Sequence, residues 1–284
     1  MSPSNKIAVL TDSASNITEN IPRGIFVVPL YVNIGEISKK DLEEISPAEL
    51  YSTFENAVPT TAAPSTEDFL RKIKRIREHG YSQVLGVTIS SALSATLNSM
   101  KIALEESGLE HRIVDSKNVT MGEGLLAYHA ADLIAQGLSL DEVYAKVSAA
   151  VSHSKLFAMV SDLKYLIRGG RLKPIKGLLG TVLHINPILT LTEKGRIEPC
   201  ESVRGKNRAL KKLRELSENF LNGCEKYALS LVYAKDKADI AELRELMKDL
   251  IDKASLYEEK AITAVLGAQA GPSVQVINVF RLDD

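Results

Sequence analysis

Short apolar runs alternate with longer amphipathic stretches through the first half of the chain. The runs at residues 7–10 (IAVL), 26–32 (FVVPLYV), 84–89 (VLGVTI) and 112–114 (RIV) are continuous rather than alternating, the pattern of strands buried on both faces. The helices between them have legible starts. Ser46-Pro47-Ala48-Glu49 is a capping box with proline at the first helical position. Ser65 and Asp68 form a weaker box, and that helix stops at Gly80. A third helix is predicted from near Ser91 to Gly108, a fourth from about Thr120 to Gly137, and Ser139 with Glu142 opens a fifth. Strand, helix, strand in this order implies a parallel sheet with right-handed crossovers.

The texture changes near residue 154. A strand is predicted at 156–160, a short helix at 163–168, then the Gly/Lys/Arg-rich stretch RGGRLKPIKG. Residues 188–192 and 197–203, joined by Glu193-Lys194-Gly195-Arg196, read as a β-hairpin. Charged helices are predicted at 207–221 and 238–253, and short strands at 229–233, 261–266 and 274–280. The chain therefore reads as α/β in two domains. Residues 1–154 form a parallel α/β domain, and residues 155–284 an α+β domain with a mainly antiparallel sheet.

Composition narrows the function. The 284 residues carry 35 basic and 36 acidic side chains, a net charge of −1, without the basic excess of a nucleic-acid partner. The N-terminus lacks an apolar signal region, so a cytoplasmic protein is expected. Cys200 and Cys224 stand far apart, and the five histidines show no ligand spacing, so no metal is expected. Residues 81–100 contain no charged side chain, but nine are Ser, Thr, Gln or Asn, which suits a strand and helix better than a membrane span.

Polar groups gather at one edge. The predicted strands end in Thr11-Asp12-Ser13, Ser90-Ser91 and Asp115-Ser116, and Thr60-Thr61 precede a helix start. In an open parallel sheet the carboxyl ends of the strands form the ligand crevice, and helix N-termini there offer unpaired N–H groups. Taken singly, each hydroxyl reads as a cap for its own helix. Together they suggest a site for a small anion. No His or Cys adjoins them, and a serine without a base is a poor nucleophile, so the site is expected to hold rather than react.

Eight stretches in order resemble the DegV family: IAVLTDSASNIT, PTTAAPS, ISSALSATLNS, IVDSKNVTMGEGLLA, LKYLIRGGRLKP, INPIL, VRGKNRAL and GAQAGP. The resemblance implies a Rossmann-like N-terminal domain, an α+β C-terminal domain and a long-chain fatty acid held between them. It also implies service as the acyl-carrying, non-catalytic subunit of a bacterial fatty acid kinase. There a separate ATP-dependent subunit phosphorylates the carboxylate. By motif, the carboxylate falls to Thr61, Ser94 and Gln269, with Thr60, Ser90 and Ser91 beside them. Arg171 is implied in the encounter with the kinase subunit, with Arg168 and Lys173 in the same docking loop. No cofactor is implied beyond the fatty acid, and transient contact with a membrane surface is expected. The motif departs in three places: Ala62 and Ala63 replace Ser and Gln, Ala92 and Ala95 replace glycines, and Gln269 replaces histidine. The glutamine keeps a hydrogen-bond donor and loses the charge. Neutral hydroxyls could pair with a carboxylate that must leave water, and a buried acyl tail offers on the order of 10 kcal/mol at about 0.8 kcal/mol per CH₂.

Two other readings compete. Gly122-Glu123-Gly124-Leu125-Leu126-Ala127 fits a dinucleotide fingerprint after a strand, which would make the chain a nucleotide-dependent α/β enzyme. The acidic residue expected about 20 residues on falls at a helix start instead of a strand end. Arg168, Arg171, Lys173 and Lys176 could form a phosphate or nucleic-acid patch, against which the near-zero net charge argues.

Overall fold

A computed structural model describes residues 6–19, 21–174 and 185–282. Strand β1 (Ile7–Asp12) is buried throughout and leads through a 3-10 turn at Ser13–Ser15 and a longer connection to the parallel strand β2 (Ile25–Val28). The run predicted as one strand at 26–32 is in fact two. Pro29 has no N–H to continue a ladder, and the Leu30 N–H turns to Ser13 Oγ at 3.0 Å. The chain then leaves for a separate sheet made of β3 (Tyr31–Ile34), β4 (Ile37–Lys40) and, after helix α1 (Pro47–Thr53), β5 (Thr60–Ala62).

Helix α2 (Thr66–Glu78), strand β6 (Gln83–Thr88), α3 (Thr96–Ser107), β7 (Glu110–Asp115), α4 (Met121–Ala135) and α5 (Leu140–Ala150) follow. The capping boxes at Ser46, Ser65 and Ser139 all form. Helix α3 begins at Thr96, later than predicted, because residues 91–95 close a turn on the Ser90 carbonyl through the Leu93 and Ser94 N–H groups. The first sheet is parallel, in the order β2-β1-β6-β7.

The second half supplies β8 (Ser154–Met159), α6 (Lys164–Arg168), β9 (Ile185–Leu191), β10 (Ile197–Arg204), α7 (Lys206–Leu221), β11 (Tyr227–Tyr233), α8 (Ala241–Leu246), α9 (Lys248–Lys253), β12 (Leu256–Ala261), α10 (Ala264–Ala270) and β13 (Gln275–Arg281). Its sheet runs β10-β9-β8-β13-β11-β12, antiparallel except for the parallel β11/β12 pair. Two predictions here need correcting. The helix expected over 238–253 breaks at Met247, and the strand expected at 261–266 is displaced. The strand is the charged Leu256–Ala261, and the apolar residues after it wind into α10. A short apolar run does not by its period tell strand from buried helix.

The layers alternate. Helices α2 and α3 cover the outer face of the parallel sheet, and α7 with α8 covers the outer face of the mixed sheet. Helix α4 lies between the sheets, touching β1 and β6 on one side and β8, β11 and β13 on the other. A helix in that position must be apolar all round, and ten of its fifteen residues are buried. The boundary expected at residue 154 falls on the first residue of β8, and the largest core cluster draws on both sides of it. No helix among the described residues is long and apolar enough to cross a membrane.

Candidate functional site

At the carboxyl ends of the parallel strands the two halves enclose a cavity, its mouth open to solvent. Leu30, Ile89 and Val119 form its floor, the mixed sheet one side, and α10 the other. Of the twenty-four residues around it, only six carry polar side chains: Thr61, Ser94, Thr120, Arg171, Thr190 and Gln269. Two of those have their hydroxyls satisfied inside the protein, Thr120 by Asn278 Oδ1 and Thr190 by the Leu156 carbonyl, both at 2.8 Å. The site thus has apolar walls and a small group of polar side chains free to meet a ligand, the usual division in a small-molecule pocket.

Each of those polar groups comes from a different element. Thr61 is on β5, Ser94 in the turn before α3, Arg171 just after α6, and Gln269 in the last turn of α10. Gln269 Nε2 donates to Thr61 Oγ1 at 2.9 Å, which leaves the Thr61 hydroxyl hydrogen for another acceptor. Ser94 Oγ shares a 2.8 Å bond with Thr96 Oγ1. With Thr96 as donor, the Ser94 hydrogen is free in the same way. Arg171 Nε donates to the Leu93 carbonyl at 3.2 Å and Nη1 to the Gly169 carbonyl, tying the turn that carries Ser94 to the second half.

The glutamine fits only because position 169 is glycine. A Cβ there would stand 1.8 Å from Gln269 Oε1, itself buried without a hydrogen-bond partner. Gly169→Ala should swing the amide off Thr61 and weaken ligand binding about fivefold, the cost of about one neutral hydrogen bond. A titration of the variant with a fluorescent fatty acid, the ligand that the family resemblance implies, checks this, and an unchanged affinity would show that the amide orientation is immaterial.

The strand-end polar groups do different work from that expected. Thr11, Asp12 and Ser13 are wholly buried beneath the cavity and do not line it. Asp12 Oδ2 accepts from the Ile89 N–H at 3.0 Å and Oδ1 from the Ala14 N–H at 2.9 Å, while Ser13 fixes Leu30. These bonds set the floor. Glu123 on α4, also fully buried, accepts from the Thr11 hydroxyl at 2.8 Å, and its Oε2 has no partner. Burial, then the neighbouring Asp12 charge, pushes the Glu123 carboxyl well above the usual carboxylate range. Burial likewise raises Asp12 to about 7. The apolar reading of the first half left this acid pair unrecognised; its one signal was a lone Glu inside the apolar stretch after Val119.

The remaining expected residues stand outside the cavity. Ser90 Oγ donates to the Gly195 carbonyl at 2.9 Å, and Ser91 Oγ to Asp115 Oδ2 at 2.5 Å. Thr60 is exposed, one residue out of phase with Thr61 on a strand whose side chains alternate. Arg168 and Lys173 are exposed, Arg168 over the Tyr165 ring at 5.4 Å. Lys176 lies outside the described residues. Gly122 and Gly124, the fingerprint glycines, are inside α4 rather than in a loop. Their missing Cβ atoms admit the Asn118 side chain and the Ser15 carbonyl, so they serve packing. Among the described residues no group of three His, Cys, Asp or Glu side chains could hold a metal.

A family model described as an uncharacterised protein of the DegV family matches residues 6–281. The chain belongs to the DegV family. A DegV domain-containing protein of Clostridium acetobutylicum is 32% identical over 280 residues, covering 97% of this chain and 99% of the relative. Among solved structures, a DegV family protein from Thermus thermophilus, described by its fatty acid binding, superposes with a TM-score of 0.90 at 30% identity, over 97% of this chain and 99% of that one. A Thermotoga maritima protein whose structure reveals fatty acid binding function matches with a TM-score of 0.84 at 27% identity, again over 97% and 99%. The DegV fold, parallel in its first sheet and mixed in its second, is the fold described above.

Proposed function

We propose that this chain binds a long-chain fatty acid, with its carboxylate between Thr61, Ser94 and Gln269 and its tail in the apolar cavity. The observation that carries the reading is that two hydroxyls, Thr61 with a hydrogen to give and Ser94 with one when Thr96 donates to it, line a cavity otherwise walled almost wholly by aliphatic side chains. A carboxylate needs donors when it leaves water, and an acyl chain needs a dry wall. The DegV relatives described as fatty acid binding support the same ligand.

The chain does no chemistry of its own in this reading. The bound acid is presented to a separate ATP-dependent kinase subunit, which forms the acyl phosphate, and Arg171, Arg168 and Lys173 meet that subunit or the phosphate it transfers. Arg171 lines the cavity and is half-buried, and a guanidinium suits a phosphoryl oxygen.

Mass spectrometry of an organic extract of the purified, undenatured protein is expected to show stoichiometric fatty acid, and added fatty acid to raise the melting temperature of delipidated protein. Protein that yields no lipid and gains no stability from added fatty acid overturns the reading.

A further inference from the structure

Helix α10 carries Gln269 and part of the cavity wall, so whatever fixes this helix fixes the site. It begins at Thr263, a residue type that ordinarily caps its own helix, yet the Thr263 side chain makes no cap bond. The N–H groups at its start are taken from the other half of the chain. Asn16 Oδ1 accepts from the Thr263 N–H at 3.0 Å, while Asn16 Nδ2 donates to the Ala261 carbonyl at 3.0 Å. Asp41 Oδ1 accepts from the Val265 N–H at 3.3 Å, from a side chain with no solvent exposure.

Both side chains are presented by tight turns. Asn16 is left-handed at φ 59°, and Leu42, next to Asp41, is left-handed at φ 66°. Leu42 lies in the turn that the Glu44 N–H closes on the Lys40 carbonyl at 2.8 Å, and that turn presents Asp41. The two other left-handed non-glycine residues among those described follow the same rule. Lys117 adjoins Asn118, which donates to Ser154 Oγ at 3.1 Å, and Thr120 itself bonds Asn278. Every such residue sits at or beside a side chain that reaches from the first half to the second.

We propose that Asp41 is a positioning residue for the ligand site: by capping α10 from the opposite half, its carboxylate sets where Gln269 meets Thr61. The proposal rests on the fatty acid reading only for the ligand used to measure it. Asp41→Asn keeps an acceptor for the Val265 N–H, and its amide can donate to Thr263 Oγ1, which is buried without a partner. Asp41→Ala removes the cap altogether. Asp236, whose side chain accepts from the Ala238 N–H in a capping box elsewhere in the second half, provides a control cap of the same kind.

The experiment measures amide hydrogen exchange across residues 264–270 in unliganded protein, and affinity for a fluorescent fatty acid, in all three variants. Asp41→Ala should speed exchange in α10 and weaken binding, each about fivefold. Asp41→Asn should restore both, and Asp236→Ala should lower the melting temperature without altering either. Unchanged α10 exchange in Asp41→Ala, an Asn variant as impaired as the Ala variant, or an equal loss of affinity in Asp236→Ala overturns the proposal. If Asp41→Ala does not fold, Asp41→Ser, whose hydroxyl falls short of Val265, takes its place with the same outcomes. Wild-type protein that binds no fatty acid refutes the proposed function, while the exchange comparison still decides the cap.

Discussion

Removing the hydroxyls of Thr61 and Ser94 together should weaken fatty acid binding on the order of a hundredfold. In the proposed site each hydroxyl would donate to a carboxylate that has left bulk water, and a hydrogen bond to a charged group contributes roughly 1.5–3 kcal/mol. The two bonds share one ligand group, so the double variant should fall somewhat short of the sum. Thr61→Ala also takes away the acceptor of Gln269 Nε2, leaving that amide unpaired at the mouth. A titration with a free fatty acid and with its methyl ester separates head group from tail. The double variant should bind the ester about as well as wild type does, because the ester carries no charge to stabilise. Equal affinity of both proteins for the free acid would place the carboxylate elsewhere, and an equal loss for the ester would mean that the substitutions had reshaped the cavity.

The second large effect concerns stability. Asp12 and Glu123 are buried side by side, and no basic group offsets them among the influences on either. Their folded pKa values lie above the ordinary carboxylate range. Their contribution to stability is therefore fully present below about pH 4, where both folded and unfolded chains are protonated, and is lost as pH rises through the folded values. For Asp12, raised to about 7, the loss is on the order of 4 kcal/mol. Asp41, raised to about 6 by burial, acts in the same direction. Asp68 opposes them. Burial pushes it up, but bonds from Ser65, Tyr31 and Arg71 prevail and hold it below the usual range, so its contribution is lost as pH falls through its low folded value. The melting temperature should therefore peak at about pH 4 and decline towards pH 8. Glu123→Gln keeps an acceptor for the Thr11 hydroxyl and cannot ionise. It should be more stable than wild type at pH 8 and show a shallower decline. Parallel profiles for the two proteins from pH 5 to 8 would show that the acid pair does not govern stability.

Much of the architecture was legible because local and tertiary signals agreed. Continuous apolar runs marked the parallel strands, and Ser46, Ser65 and Ser139 marked helix starts that all formed. Where the signals parted, the reading failed. The hydrophobicity of residues 26–32 ran straight across Pro29, and the charged strand Leu256–Ala261 had no apolar period to betray it. The hydroxyl-rich strand ends pointed to the edge of the sheet where the cavity lies, yet Ser90, Ser91 and Ser13 satisfy backbone and carboxyl groups of the protein itself. Thr61 stood among those edge hydroxyls, and its grouping with Ser94 and Gln269 came only from family motifs. They come from a three-residue strand, a turn and a helix end, and no periodicity links positions so far apart in the chain.

The division of the cavity between distant parts of the chain governs when the protein can first hold its ligand. A ribosome delivers Leu30, Ile89 and Val119 early, and these apolar floor residues then wait for Leu156, Val265 and Val276 to cover them. Thr61 and Ser94 likewise emerge long before Gln269. No nascent chain that stops short of β13 has a closed pocket to load, so on the proposed function acquisition of a fatty acid would follow synthesis of nearly the whole molecule. A bound acyl chain would then mark a protein whose halves have both been made and have docked.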